Sequence, residues 1–497
     1  MEAKKNSEKV ENYFFQNTPV SKRRRNNLIA MLGAGLGVAF MGNLVQNYLS
    51  YYYTEFMLLD AALVSSIMSV GILVDGLSDY FMGAVIDRVR TKYGKVRHWF
   101  LWMTIPAAAS SMLIFLCPES WSTTAKMVYL FVIYNVYCTC LTAVRLPSVS
   151  MLSVGFNDPG VRRQAGVVSG LSGQLGSAIS SMTIAPLLAV MGGGIIAYRT
   201  TSFIYGGIGA LLCLSAFFLL KEVIGSKAAV ENVRLTEGEA AAEQTRSIME
   251  AEGGGDATKK KKRNLLSETI QLFKNKYWVI HQVTTISNSV ASGFIIGTCV
   301  YFCRYVVGDV NAAAGVYGVM SGGMMLGIFG CTPLLLKFDS RVVAVVGSFI
   351  SFAGMIMAAV GVFVLHINAV LFAGIFFKQL GTGFVVAVDN DLAARTIDYG
   401  EWKFGVRLDG LAFSGKAVMA KISSAFATAA LGFALSASGY VGGQGAVSDA
   451  VILTLQILFV VIPAVTLSFS GILFCFFNLT DSKIREIRAE IAERSKN

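Results

Sequence analysis

The sequence predicts an all-α membrane protein with 12 transmembrane helices in two six-helix bundles. Three observations lead there. Of 497 residues, 54% are hydrophobic and 15% charged, with a mean hydropathy of +0.58; an ordinary soluble domain is about a quarter charged. About twelve apolar runs approach the roughly 20 residues that cross a bilayer. Lysine and arginine gather in alternate loops between those runs, as cytoplasmic loops do.

The elements follow in order. Residues 1–27 are polar and basic, carry "SKRRR" at 21–25 and lack the apolar core of a removable signal, so the N-terminus is expected in the cytosol. Spans are predicted at 28–53, 60–86, 99–117, 124–153, 166–192 and 200–221. Arg88, Arg90, Lys92, Lys95 and Arg97 follow the second span, and Arg162 and Arg163 the fourth. Residues 222–276 carry "EGGGDATKKKKR" and no hydrophobic period, which reads as a flexible cytoplasmic linker between bundles at 28–221 and 277–478. The second set falls at 278–303, 313–336, 342–365, 368–392, 407–437 and 448–478. Lys337 and Arg341 follow its second span, and Arg395, Lys403 and Arg407 surround the loop after its fourth. In the tail, 479–497, Ile484, Ile487 and Ile491 recur at helical spacing, predicting a short helix on the cytoplasmic membrane interface.

The net charge of +11 is therefore an orientation signal. It places both termini in the cytoplasm and speaks against nucleic-acid binding; the chain is expected to be a multi-pass plasma-membrane protein in contact with lipid, working as a monomer. The eight cysteines lie mostly in apolar runs and read as small buried hydrophobes. Three histidines (His98, His281, His366) lie far apart, and no metal cluster, phosphate loop or nucleophile–base motif occurs, so an enzyme is not expected.

"DGLSDYFMGAVIDRVRTKYGKVR" puts Asp75 and Asp79 inside the second span. Asp75 lies twelve residues before Asp87, or about 18 Å along a helix. Their four-residue spacing places both on one face, where a cation could be shared. A carboxylate at membrane depth costs at least a few kcal/mol unless compensated. A cation or proton site is one compensation, and an ion pair with a buried Lys or Arg is the other. Lys421, mid-span, is as costly unpaired. Asn43, Gln46 and Asn47 share a face of the first span and could bind substrate hydroxyls or bond neighbouring helices. Tyr134, Asn135 and Gln174 could complete such a site.

"YYYTE", the Asp75–Arg97 stretch and "RTIDYGEWKFGVRLDGLAFS" together resemble the glycoside-pentoside-hexuronide:cation symporters of the major facilitator superfamily. The resemblance implies symport by alternating access, coupled to Na+ or H+ and needing no other cofactor. It implies that Asp75, Asp79 and Thr142 bind the coupling cation and that Lys421 pairs with the aspartates in its absence. Asp398, Glu401 and Arg407 match a cytoplasmic loop that closes an inner gate, joined by Arg88 and Arg97 of the basic loop. Three positions that hold galactosides in the family are Ala39, Arg145 and Gly170 here, and two aromatic ones are Val149 and Val386. Arg145, Lys378 and Lys416 add cations near membrane depth, which leaves two readings. They hold an anionic substrate such as a uronide, or Arg145 and Lys378 pair with Asp389, Asp391 or lipid phosphate. The functional expectation is cation-coupled symport of a sugar or glycoside. The alternative is a carrier of amphiphilic anions such as lysophospholipids.

Overall fold

The computed structural model describes residues 20–89, 91, 93–156, 159–222, 243, 265–335 and 337–494. In chain order, α1 (Val20–Glu55) and α2 (Ala61–Arg88) are followed by the short α3 (Arg97–Trp102) and α4 (Thr104–Leu113). Then come α5 (Thr123–Val154), α6 (Pro159–Val190) and α7 (Ile195–Leu219). The later elements are α8 (Leu265–Lys274), α9 (Lys276–Phe302), α10 (Ala312–Leu335), α11 (Ser340–Val360), α12 (Asn368–Phe404) and α13 (Asp409–Ala437). The chain closes with α14 (Asp449–Gln456), α15 (Ile462–Cys475) and α16 (Asp481–Arg494). Short π-helical stretches extend α9 and α11 and join α14 to α15.

Among the described residues, 11 helices are long and apolar enough to cross a membrane. The remaining predicted span, the third, is the pair α3 and α4. Pro106 has no N–H to bond the carbonyl of Trp102, four residues back, and the helix breaks there. Side-chain caps start several spans: Ser122 accepts from Ala125 N–H, Asn275 from Tyr277 and Trp278, and Asp339 from Arg341. Gly405, at φ 72°, ends α12 in the left-handed conformation that glycine adopts without steric cost.

Three expectations are corrected. The fourth span of the second set does not stop at 392: α12 continues to Phe404, so Asp398 and Glu401 are helical rather than in a loop. The predicted linker ends in the helix α8, and its middle lies outside the described residues. The α16 isoleucines face protein rather than lipid, since Ile484 and Ile487 are buried with Tyr277, Tyr399 and Phe477, and Ile491 packs beside them.

The chain divides into two compact units. One comprises the chain up to Gln46, Leu77–Ser180, and the stretch from Met191 to the linker. Its core gathers Met31, Phe100, Val144, Met151, Cys213 and Phe217. Asn27 on α1 donates to the carbonyls of Gly155 and Lys221, both at 2.9 Å, and so ties three chain segments. Glu222, 3% exposed just beyond α7, accepts from the N–H groups of Lys95, Val96 and Arg97 at 2.7–2.8 Å. That clasp fixes the basic loop. Glu222→Gln keeps one acceptor oxygen and swaps the other for a donor facing donors. It should cost about 1–2 kcal/mol, seen as a lower thermal unfolding midpoint of the purified protein. An unchanged midpoint would count against the clasp.

The other unit comprises Asn47–Gly76, Ser181–Val190 and the chain after the linker. Within it α11 and α12 approach so closely that a Cβ on Gly354 would stand 2.3 Å from the Lys378 nitrogen, and one on Gly381 2.2 Å from the Gly347 carbonyl oxygen. Only glycine fits at such a backbone contact.

Candidate cation-coupling site

The second unit contains Asp75 on α2 and Lys421 on α13, whose ammonium donates to the carboxylate in a direct ion pair. The side chains are 15% and 24% exposed, so each charge is largely withdrawn from solvent and answered by the other. Gly76 leaves room for the lysine stem, whose Cβ and Cγ would lie 3.6 Å from a Cβ there. Six residues before Asp75, Ser69 donates to the Ala425 carbonyl at 2.7 Å and fixes α2 against α13.

One turn further along α2, Asp79 belongs to the first unit. Arg145 on α5 donates to both its carboxylate oxygens, at 3.0 and 2.9 Å, and Thr142 donates its hydroxyl at 3.1 Å. Thr142 and Arg145 are three residues apart and therefore share a face of α5. Thr142 is buried, while Arg145 is 42% exposed and Asp79 26%. This pair is the more open of the two. The sequence offers Arg145 as a substrate anchor; its partner in the structure is instead Asp79, a residue of the expected cation site. The three-residue spacing from Thr142 is the signal that could have indicated it.

The remaining candidates divide. Asn43 donates to Ser180 Oγ at 2.5 Å, and Asn47 to Ser181 Oγ at 3.1 Å. These amides are bonded to α6, as interhelical bonding predicts; Gln46 is exposed. Asn135 donates back to the Phe131 carbonyl at 2.7 Å. Lys378 is 1% exposed, and its ammonium donates at 2.8 Å to Gln379 Oε1 rather than to Asp389 or Asp391. Lys416 donates to Asp389 in an ion pair.

Of the gate residues, Asp398 accepts from Arg407 at 3.0 Å and from Arg488 of α16 at 2.8 Å; Glu401 accepts from Arg407 at 2.8 Å. Arg488 was missed because the tail was expected at the lipid. Arg97 is 1% exposed, its Nε bonded to the Phe217 carbonyl at 2.5 Å. Its charge braces the loop against the end of α7 instead of standing at a surface. The Arg88 side chain lies outside the described residues. No group of three metal-binding side chains occurs among the described residues.

Residues 31–481 match the family model for MFS/sugar transport proteins. The chain is 27% identical over 438 residues to the isoprimeverose transporter of Lactiplantibacillus pentosus, covering 88% of this chain and 85% of that one. It is also 27% identical over 474 residues to the putative glycoside/cation symporter YagG of Escherichia coli K12, covering 93% and 94%. The inward-open xylose transporter XylE of E. coli aligns over 93% of this chain and 98% of its own, with a TM-score of 0.64 at 12% identity, a likeness of fold alone.

Proposed function

The chain belongs to the MFS/sugar transport protein family, and on that premise we propose how it couples a cation to the symport of a sugar or glycoside. The carrying observation is that both α2 carboxylates are answered by basic side chains, Asp75 by Lys421 and Asp79 by Arg145. In this reading the pairs are the resting form of the coupling site. Na+ or H+ binding at Asp75, Asp79 and Thr142 displaces Lys421 and Arg145, and the freed lysine and arginine take part in reorientation. A coupling ion must bind differently in the two forms of a cycle, and internal counter-ions that compete with it supply that difference. The carrier works in the plasma membrane, as a monomer surrounded by lipid, with both termini cytoplasmic.

Arg145 and Lys416 are each engaged with an aspartate, which favours a neutral sugar over a uronide. The reading as a carrier of amphiphilic anions such as lysophospholipids has no support. The test is counterflow in proteoliposomes, comparing neutral glycosides with the matching glucuronides, with and without Na+ and at two pH values. Exchange of neutral glycosides that depends on one cation supports the reading; exclusive exchange of glucuronides would return Arg145 and Lys416 to the substrate.

Arg145→Ala distinguishes the roles. As a competitor for Asp79, its removal should lower the half-saturating coupling-cation concentration by about fivefold, corresponding to the ~1 kcal/mol of a half-exposed pair. The ratio of neutral to acidic substrate uptake should stay constant. A changed ratio with unchanged cation affinity would make it a substrate residue.

A further inference from the structure

The coupling site leaves unexplained a second charged cluster, built from α9, α12 and α13 within one unit. His281, 1% exposed on α9, has its Nε2 3.0 Å from Asp389 Oδ1 on α12. Lys416 of α13 pairs with the other oxygen, Oδ2, and reaches Asn390 Oδ1 at 3.3 Å. One carboxylate thus meets a lysine and an imidazole. The imidazole's second nitrogen, Nδ1, is buried without a hydrogen-bond partner.

We propose that His281, Asp389 and Lys416 form a proton-binding site separate from the α2 aspartates, in which a proton on His281 and Lys416 held on Asp389 exclude each other, so that proton uptake releases the lysine. The reasoning is charge balance in a buried place. With Lys416 on Asp389 the carboxylate is neutralised, and His281 fits as a neutral imidazole that donates through Nε2–H and leaves Nδ1 bare. A proton added at Nδ1 makes a second cation beside one carboxylate and a buried N–H with no acceptor. Asp389 can balance one of the two charges. The charged form therefore keeps His281 on Asp389 and lets Lys416 leave. Lys416 is the free end of that exchange, since it is 18% exposed while His281 is enclosed. Other charges nearby are otherwise engaged: Asp391 with Arg395, and Lys421 with Asp75. Ile462–Cys475, packed against α9, carries no Asp, Glu, His, Lys or Arg. Lys416 and Lys421 share α13, so release of one lysine can be felt by the segment that carries the other.

Three histidines make direct observation simple. Purified protein carrying isotope-labelled histidine gives three imidazole signals, and His281→Gln assigns the one of interest. The expected result is a His281 signal that titrates, with a midpoint about one pH unit higher in Lys416→Met, a tenfold gain in proton affinity. In Asp389→Asn, adding Lys416→Met should no longer move the same signal, because the carboxylate the two groups share is gone. A His281 that does not titrate in the intact protein, or whose midpoint ignores Lys416→Met, overturns the proposal. Misfolding is controlled by the His98 and His366 signals, which should keep their wild-type positions. The titration does not need transport. Sugar counterflow run alongside separates the two claims, because its failure would sink the transport reading on which any role for this site in the cycle rests.

Discussion

Asp75→Asn and Asp79→Asn should each abolish concentrative uptake of the transported sugar, while binding of that sugar survives. Uphill transport needs the coupling cation to be held more tightly in one form of the carrier than in the other. An amide retains the carboxylate's shape and an acceptor oxygen but contributes no charge against a cation at membrane depth. The two variants should differ in their side effects. Asp75→Asn takes from the Lys421 ammonium, which is 24% exposed, the ion pair that answers it. Asp79→Asn leaves Arg145, 42% exposed, able to turn to water. Asp75→Asn should therefore also lower the amount of folded protein in the membrane, and adding Lys421→Gln should restore that amount without restoring accumulation. The measurement is steady-state accumulation ratio beside membrane abundance. Wild-type accumulation in either single variant would remove that residue from the coupling site.

What the sequence disclosed follows a physical pattern. Asp75, Asp79 and Lys421 were legible because charge inside an apolar run is expensive enough to demand a partner, and few residues were available to supply one. Thr142 was reached by resemblance, and with it the partner of Asp79 was within reach, because Arg145 lies three residues on along the same helix. The His281 cluster was not legible. One histidine in an apolar run looks like an ordinary core residue, and 108 positions separate it from Asp389. Glu222 gave no signal either, since an acid just past a span resembles any loop charge; only its three backbone donors give it meaning. The overrun of α12 was hidden for a related reason. "ARTIDYGEWKF" breaks the apolar pattern from which spans are read, yet its helix is held by Arg395, Asp398 and Glu401, whose ionic partners lie elsewhere in the chain.

Arg395→Ala should destabilise the second unit by about 3 kcal/mol and release α16. Arg395 is 6% exposed and stands among three carboxylates: Asp339 at 3.1 Å, Asp391 at 2.8 Å and Asp481 at 2.5 Å. It also donates to the Leu479 carbonyl at 2.9 Å. Removing it leaves those acids facing one another. Asp391 and Asp481 are about half exposed and partly screened, so the larger cost falls on Asp339. Burial pushes the Asp339 carboxyl upward, but the N–H groups of Arg341 and Asp481 and the Arg395 guanidinium outweigh it and hold the group below the ordinary carboxylate range. A depressed acid contributes stability above its unfolded value, and that contribution disappears as pH falls through the folded one. Wild-type protein should therefore lose stability below about pH 4, and Arg395→Ala should lose less over the same window because part of the interaction is already gone. Hydrogen exchange reports the tail directly: amides of Asp481–Arg494 should exchange faster in the variant, and the Trp402 indole, which donates to Glu490 at 2.6 Å, should show altered fluorescence. Unchanged tail protection together with an unchanged unfolding midpoint would mean that the isoleucine face of α16 holds the tail without Arg395. That apolar face would then suffice to present Arg488 to Asp398.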